Sequence, residues 1–218
     1  MDAYREIIPL ILPGLKITLQ VLIASVALAI SVAFIAGLAR LSRFAVVRKI
    51  TAVYVELFRG TSLLVQLFWI FFALPAFGIQ FSPFLASVVA LGLNYGAYGS
   101  EVVRSAILAI PNGQTEASIA LNMTRWQRMR LVILPQALRI MLPGFGNNAI
   151  ELLKGTSLVS LITLTDLTYK GLIIQNNNLS YTFPVFVVLL LFYFIIALPL
   201  IFGVRKLEKN ASRGVAKA

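Results

Sequence analysis

The 218-residue sequence contains no cysteine and no histidine, and it is poor in charge, since Asp, Glu, Lys and Arg make up only 12% of the chain. Without thiols there is no disulfide framework, and without imidazole the commonest metal ligand is missing. These absences disfavour a metalloenzyme, and also an intramembrane enzyme, which would need His or Cys beside a carboxylate cluster. No G-x-x-x-x-G-K-[ST] loop is present, so any ATP chemistry would have to reside in a partner.

What the sequence has in abundance is apolar residues, which account for 59% of the chain and give a mean hydropathy of +0.89. Ordinary soluble domains carry about twice this proportion of charge. The composition therefore predicts an all-α integral membrane protein, because the helix is the simplest element that satisfies its own backbone in lipid.

The excess of basic over acidic residues, 19 against 8, gives a net charge of +11. A nucleic-acid-binding protein would concentrate such charge in one patch, whereas here the basic residues flank the apolar runs, so no nucleic acid is expected as a partner. Fourteen of the 19 fall on one predicted side of the membrane. Because positive loops stay cytoplasmic, the N-terminus is predicted outside and the C-terminus, Ala218, inside. The residues on that side are Arg40, Arg43, Arg48, Lys49, Arg104, Arg125, Arg128, Arg130, Arg139, Arg205, Lys206, Lys209, Arg213 and Lys217.

Runs long enough to cross a bilayer predict one domain, 1–218, with five transmembrane helices at about 15–39, 53–77, 84–107, 148–167 and 183–204. The first run is too long for a signal peptide and no basic segment precedes it, so we expect a retained helix. Because no internal repeat is visible, an ion-gradient-driven secondary transporter or channel for a small polar solute is the weaker alternative.

Small residues recur every four positions in two of these helices, at Ala29, Ala33 and Gly37 in the first and at Gly92 and Gly96 in the third. Such spacing lets neighbouring backbones approach closely in lipid. We interpret these residues as packing positions.

The polar segment 111–135 is predicted to form a cytoplasmic helix-turn-helix. Thr115 is a candidate cap for the first helix, Asn122 suits a left-handed closing residue, and Thr124 with Gln127 forms a capping box for the second. Pro135 is expected to end the second helix. The alternative is a basic amphipathic helix lying on lipid headgroups, for which Trp126 and its neighbouring arginines would suffice.

The spacing in this segment resembles the EAA loop of binding-protein-dependent permeases of ATP-binding-cassette (ABC) importers, written E-A-A, three residues, Gly, nine residues, I-x-L-P. Here the segment reads Glu116-Ala117-Ser118, then Asn122, then Val132-Ile133-Leu134-Pro135. Ser, Asn and Val replace Ala, Gly and Ile, and Asn tolerates a left-handed turn well. The resemblance implies that the loop contacts an ATPase subunit, with the coupling role carried by Glu116, Ala117, Ser118, Asn122 and Arg125.

Further segments are similar to the polar amino acid subfamily of these permeases: ELFRGTSLLVQ at 56–66, NYGA at 94–97 and KGTSLVSLITLTDL at 154–167. The resemblance implies the type I ABC importer permease fold and a multi-pass subunit of the bacterial cytoplasmic membrane that imports solutes such as glutamine, glutamate, histidine or arginine. It also implies an ABC ATPase dimer, a second permease copy or homologue, and an extracytoplasmic solute-binding protein. Such a subunit is not an enzyme, and ATP and Mg²⁺ would be bound by the ATPase.

Polar residues inside the predicted helices are candidates for a solute path, since ionisable groups at membrane depth are costly and normally face a cavity or a partner. Glu56 and Arg59 are expected to form an ion pair at the membrane edge. Glu101 could likewise pair with Arg104. Hydrogen-bonded contact between helices is the alternative for the uncharged residues. The candidates are Arg59, Ser62, Gln66, Asn94, Tyr98, Asn148, Glu151, Lys154 and Ser157.

The fourth predicted helix carries the strongest candidate, the acid–base pair Glu151 and Lys154. Pro143, Gly144 and Gly146 are expected to break the start of this helix, leaving backbone groups that need protein or water. An internal ion pair and a site for a zwitterionic solute both remain open for Glu151 and Lys154.

Overall fold

A computed structural model describes residues 2–212, which are mainly helical and contain no strand. The helices are α1 (Asp2–Ala39), α2 (Ala45–Gly60), α3 (Leu63–Phe68), α4 (Pro83–Leu108), α5 (Asn112–Ala120), α6 (Arg125–Arg128), α7 (Leu134–Gly155), α8 (Leu167–Asn177) and α9 (Thr182–Ser212). The all-α prediction is confirmed. The expectation for Ala218 lies outside the described residues.

Helix α1 is much longer than the expected segment 15–39, because it starts at Asp2 and continues through Pro9 and Pro13. Its 38 residues correspond to about 57 Å, almost twice the hydrocarbon thickness. Ile7 and Ile11 are completely buried against residues of α8 and α9. This packing outweighs the cost of the two prolines, which local sequence suggests as breaks.

Among the described helices α1 and α4 pack against each other most extensively, and the small residues predicted to pack lie in this interface. A Cβ atom at Gly96 would lie 2.8 Å from the Val32 side chain, and one at Gly37 would lie 2.7 Å from Val103. Neither position has room for a larger side chain, so the two backbones are held in contact along their length.

The expected second helix, 53–77, is two helices that meet at an angle of 106°. The chain is extended at Thr61 and Ser62, where α2 ends and α3 begins. Helix α3 continues as a π-helical turn at Trp69–Ala73 and a 3₁₀ turn at Leu74–Phe77. The break leaves carbonyls at the end of α2 exposed, and side chains from α3 and α4 satisfy them. Because these side chains come later in the chain, the local sequence did not predict the break.

The predicted break at Pro143 is wrong, because α7 runs without interruption from Leu134 to Gly155. The nearby glycines instead permit close packing: a Cβ atom at Gly144 would lie 2.6 Å from Val102, and one at Gly146 would lie 2.4 Å from Val204. The chain turns later, where Thr163 adopts a left-handed φ of 65° and the Asp166 side chain accepts a 2.9 Å hydrogen bond from the Tyr169 N–H to cap α8.

By length and apolarity α1 and α9 can each cross a membrane, and the bent pairs α2–α3 and α7–α8 can each supply one broken span. Helix α4 is less apolar than these segments and does not meet the same standard of apolarity. Its polar residues, among them the buried Ser87, Asn94 and Ser100, face other helices. The shortfall in apolarity therefore reflects its central position in the bundle.

Candidate functional site

A polar cleft of about 440 Å³ lies at the break between α2 and α3, where α4 and α7 also meet. Its lining residues are Thr61, Ser62, Leu63, Asn94, Tyr95, Tyr98, Asn148 and Glu151. The structure thus brings together five of the nine residues predicted along a solute path. Thr61 and Tyr95 were missed, although each lies directly beside a predicted residue in the sequence.

The floor of the cleft is held by hydrogen bonds to the last carbonyls of α2. The Phe58 carbonyl accepts hydrogen bonds from Gln66 Nε2 at 2.9 Å and from Asn94 Nδ2 at 3.0 Å, and the Leu57 carbonyl accepts one from Thr61 Oγ1 at 2.7 Å. The Tyr98 hydroxyl reaches the Arg59 carbonyl at 3.4 Å. A helix end whose carbonyls lack water needs such partners.

Glu151 and Lys154 form an ion pair of 2.7 Å within α7. Both side chains are more than half exposed, at 58% and 64% respectively, so the acid is less deeply buried than the sequence suggested. Tyr95 donates a 2.7 Å hydrogen bond to the backbone carbonyl of Glu151. This bond ties α4 to α7 and fixes the position at which the carboxylate enters the cleft.

Asn148 contributes an amide that has no partner among the described residues: its Nδ2 atom is buried and makes no hydrogen bond. A buried donor without an acceptor costs about 1–3 kcal/mol. Since Asn148 lines the cleft, an acceptor such as a carboxylate oxygen would relieve this cost. The cleft is therefore bordered by an exposed carboxylate and by an asparagine whose buried Nδ2 atom has no partner among the described residues.

The remaining predicted path residues lie outside the cleft. Gln66 lies on the far side of the α2–α3 break, and Ser157 donates its hydroxyl to the Lys154 carbonyl at 2.8 Å. The predicted Glu56–Arg59 pair is wrong, since no ion pair within residues 2–212 joins these two side chains. The Arg59 guanidinium stacks 5.2 Å from the centre of the Tyr98 ring, and Glu56 is exposed.

The segment predicted to couple to an ATPase forms α5 and α6, separated by a tight turn. Asn122 has a left-handed φ of 55°, and the capping box of Thr124 and Gln127 is present, as predicted. Thr115 lies inside α5 and does not cap it, because the helix already begins at Asn112 after Pro111.

Pro135 does not end the second helix, which passes through a π-helical turn at Met129–Ile133 into α7. A proline removes one backbone donor and crowds the preceding turn. A π turn is a known way for a helix to absorb such an irregularity. Helix α6, the second half of the segment predicted to couple, is consequently joined by continuous helix to α7, which lines the cleft.

Four of the five predicted coupling residues, Glu116, Ala117, Asn122 and Arg125, are exposed. Ser118 is 2% exposed, and its hydroxyl donates to the Gln114 carbonyl at 2.6 Å. Apolar side chains of the same segment are also exposed and were not predicted as contacts: Ile119 at 54%, Leu121 at 71% and Trp126 at 66%. Three exposed apolar side chains within one short segment make it a candidate binding surface, and their residue types could have been recognised in the sequence.

A bundle of apolar helices with a polar cleft and an exposed helical segment of EAA-type spacing is the architecture of a transport-system membrane subunit. The chain belongs to the family described as binding-protein-dependent transport system inner membrane component, which matches residues 29–213. The resemblance identified from the sequence is thereby confirmed.

Two curated relatives and one solved structure are similar over nearly the whole chain. A probable amino-acid ABC transporter permease protein of Sinorhizobium fredii is 46% identical over 206 residues, covering 92% of this chain and 86% of the relative. The glutamine transport system permease protein of Escherichia coli K12 is 40% identical over 205 residues, covering 93% of each chain. The crystal structure of an amino acid ABC transporter with histidines matches with a TM-score of 0.85 and 35% identity, covering 93% of this chain and 94% of that one.

Proposed function

We propose that this chain is the membrane permease subunit of an ATP-driven importer of polar amino acids and that the cleft at the α2–α3 break is where the solute contacts it. The main observation in support of the site is that one polar cleft is bordered both by the exposed Glu151 carboxylate and by Asn148, whose buried Nδ2 atom has no partner among the described residues. An amino acid presents an ammonium group, which suits the carboxylate, and a carboxylate, which suits the amide donor.

The similarity to amino-acid ABC transporter permeases supports ATP as the energy source, in preference to an ion gradient. The chain itself is a non-catalytic subunit. ATP and Mg²⁺ would be bound by two ATPase subunits, which would contact Glu116, Ala117, Asn122, Arg125 and the apolar residues beside them. A solute-binding protein would deliver the amino acid, and a second permease copy or a homologue would complete the pathway.

Five spans are proposed: α1, the bent pair α2–α3, α4, α7 and α9. Helix α4 is included because its 26 residues reach about 39 Å, longer than the hydrocarbon core is thick. An odd number of spans agrees with the N-terminus outside and the C-terminus in the cytoplasm. In this orientation α5 and α6 face the cytoplasm, where an ATPase would bind.

Transport in proteoliposomes tests the function directly. The permease, its cognate ATPase and binding protein are reconstituted, and uptake of labelled polar amino acids is measured with ATP inside or with only an ion gradient. We expect uptake only with ATP. Uptake driven by the gradient alone, without the ATPase, would contradict the proposal.

Coupling through α5 and α6 is tested by Glu116→Lys, which reverses a charge at the proposed contact. We expect pull-down of the ATPase or solute-stimulated hydrolysis to fall while membrane insertion is retained. Glu56→Lys is the matched control, because Glu56 is also exposed but lies on α2. Normal assembly together with normal stimulated hydrolysis for Glu116→Lys would remove the coupling role.

A further inference from the structure

The polar cleft and a second, apolar groove lie on opposite sides of the hydrogen-bonded side-chain amides of Asn94 and Gln66. The polar cleft is lined by Asn94 and not by Gln66, whereas an apolar groove of about 650 Å³ is lined by Gln66 and not by Asn94. Thr61, at the α2–α3 break, borders both. The hydrogen bond from Asn94 Nδ2 to Gln66 Oε1, 2.9 Å long and buried, joins the two sides.

Gln66 is held in one orientation by its donors. Its Nε2 atom donates to the Phe58 carbonyl at 2.9 Å and to Thr61 Oγ1 at 2.7 Å. An amide nitrogen has two hydrogens, so these bonds use both. These bonds direct Gln66 Oε1, which can only accept, towards Asn94 Nδ2.

Asn94 is fixed in turn, because both of its Nδ2 hydrogens are used, one by the Phe58 carbonyl and one by Gln66 Oε1. An amide is planar, so the direction of Nδ2 determines the direction of Oδ1. No hydrogen bond to Asn94 Oδ1 is present among the described residues, although Asn94 as a whole is 4% exposed. This oxygen is an acceptor that the protein itself leaves unused.

We propose that Gln66 is a positioning residue for solute binding: from the apolar side of the break it orients the Asn94 amide so that Oδ1 accepts an N–H donor of the amino acid in the cleft. This inference rests on the proposed function, and it assigns Gln66 a role without contact with the solute. Asn94 is the residue that makes the contact.

A double-mutant cycle tests this role. Binding of labelled L-glutamine and L-arginine to the purified permease–ATPase complex is measured for Gln66→Met, Asn94→Ala and the double variant. We expect Gln66→Met to weaken binding about tenfold, the size of one well-placed hydrogen bond to a charged group. In the Asn94→Ala background the same change should weaken binding less than about twofold, because coupled residues are not additive.

Gln20→Met is the control, since Gln20 is an exposed glutamine on α1 that does not line the cleft; it should leave affinity unchanged. An equal loss for Gln66→Met in both backgrounds would show that Gln66 acts only by holding the helix break, and would overturn the proposal. Full affinity of Gln66→Met with weakened Asn94→Ala would also overturn it while leaving the cleft intact. Unchanged affinity in Asn94→Ala would instead remove Asn94, and with it the positioning role, from the solute site.

Gln66→Glu keeps the test decisive if Gln66→Met does not yield folded complex. The glutamate loses the donors to Phe58 and Thr61, but it keeps an acceptor for Asn94 Nδ2 in either orientation, because both carboxylate oxygens accept hydrogen bonds. We expect thermal stability to fall while solute affinity stays within about threefold of the wild type, since the acceptor that orients Asn94 is kept. An affinity loss of tenfold or more in folded Gln66→Glu would contradict the positioning role.

Discussion

Two acid–base pairs with the same spacing have different surroundings in this molecule. Glu101 with Arg104 on α4 and Glu151 with Lys154 on α7 are each three residues apart, and both form ion pairs. Glu101 also forms an ion pair with Arg40, the residue directly after α1, and its side chain is only 28% exposed. Among residues 2–212, Glu151 forms an ion pair only within its own helix; it is 58% exposed and borders the polar cleft.

The difference between these pairs is made by a residue far away in the sequence. Spacing of three residues on a helix predicts a local pair in both cases. Only Arg40, 61 residues before Glu101, converts one pair into a tie between two helices. We therefore interpret Glu101 as structural and Glu151 as available to a solute.

The largest expected effect concerns membrane topology, because thiol labelling from one side of the membrane is all or none. In the proposed topology Ser82, just before α4, is extracytoplasmic and Asn112, just before Glu116, is cytoplasmic, which places Glu101 near the cytoplasmic surface. Ser82→Cys should react with a membrane-impermeant thiol reagent only from outside and Asn112→Cys only from inside. The chain has no cysteine of its own, so the background is clean. Labelling of Ser82→Cys from the cytoplasmic side alone would reverse the orientation.

Glu101→Gln should cause the largest loss of stability. It removes the shared acid and leaves Arg40 and Arg104, whose side chains are 19% and 32% exposed, without their counter-charge. Because these groups are partly solvated, we expect a loss of about 2 kcal/mol, less than for a fully buried pair. Thermal unfolding in detergent and the amount of folded protein measure it. Glu56→Gln is the matched control, and equal stability of the two variants would remove the structural role of Glu101.

Glu151→Gln should have the opposite profile. Since the pair is mainly exposed, its loss should change the free energy of unfolding by less than about 1 kcal/mol. Affinity for L-arginine should fall about tenfold and affinity for L-glutamine by less, because a cationic solute loses more from the missing charge. Direct binding to the permease–ATPase complex measures both. Normal folding with unchanged affinity for both solutes would remove Glu151 from the site, and loss of folded protein would identify it as structural.

The comparison of the pairs also shows what the sequence could and could not predict. Composition and the EAA spacing were sufficient for the helical class, the family and the turn at Asn122, because these depend on local residues. The 106° bend was not predictable in this way, since the carbonyls of α2 are satisfied by Gln66 and Asn94, which follow later in the chain. The break predicted at Pro143 was wrong for the same reason. Helix α7 stays continuous because Gly144 and Gly146 pack against α4 and α9, which are distant in the sequence.

Within the cleft, residue types were predictable and their roles were not. Asn94 and Gln66 were both candidates for a solute path. Nothing in the local sequence indicates that, of these two residues, Asn94 borders the cleft and Gln66 does not. Their roles follow from the direction in which each amide is bonded, which a linear sequence does not record.

The smallest effect is expected for Lys154→Gln, which removes the partner of Glu151 while keeping its carboxylate. An exposed pair within one helix contributes about 0.3–0.5 kcal/mol, so stability should hardly change. Removal of the lysine takes away the ion-pair partner of the carboxylate, so we expect affinity for L-arginine to rise about twofold to threefold, in keeping with that modest pair energy. Affinity for L-glutamine should change less. Lys16→Gln is the control, since Lys16 is exposed and forms no ion pair within residues 2–212. A fall in L-arginine affinity in Lys154→Gln would mean that the lysine positions Glu151 for the solute, and the pair would then have to be treated as one unit.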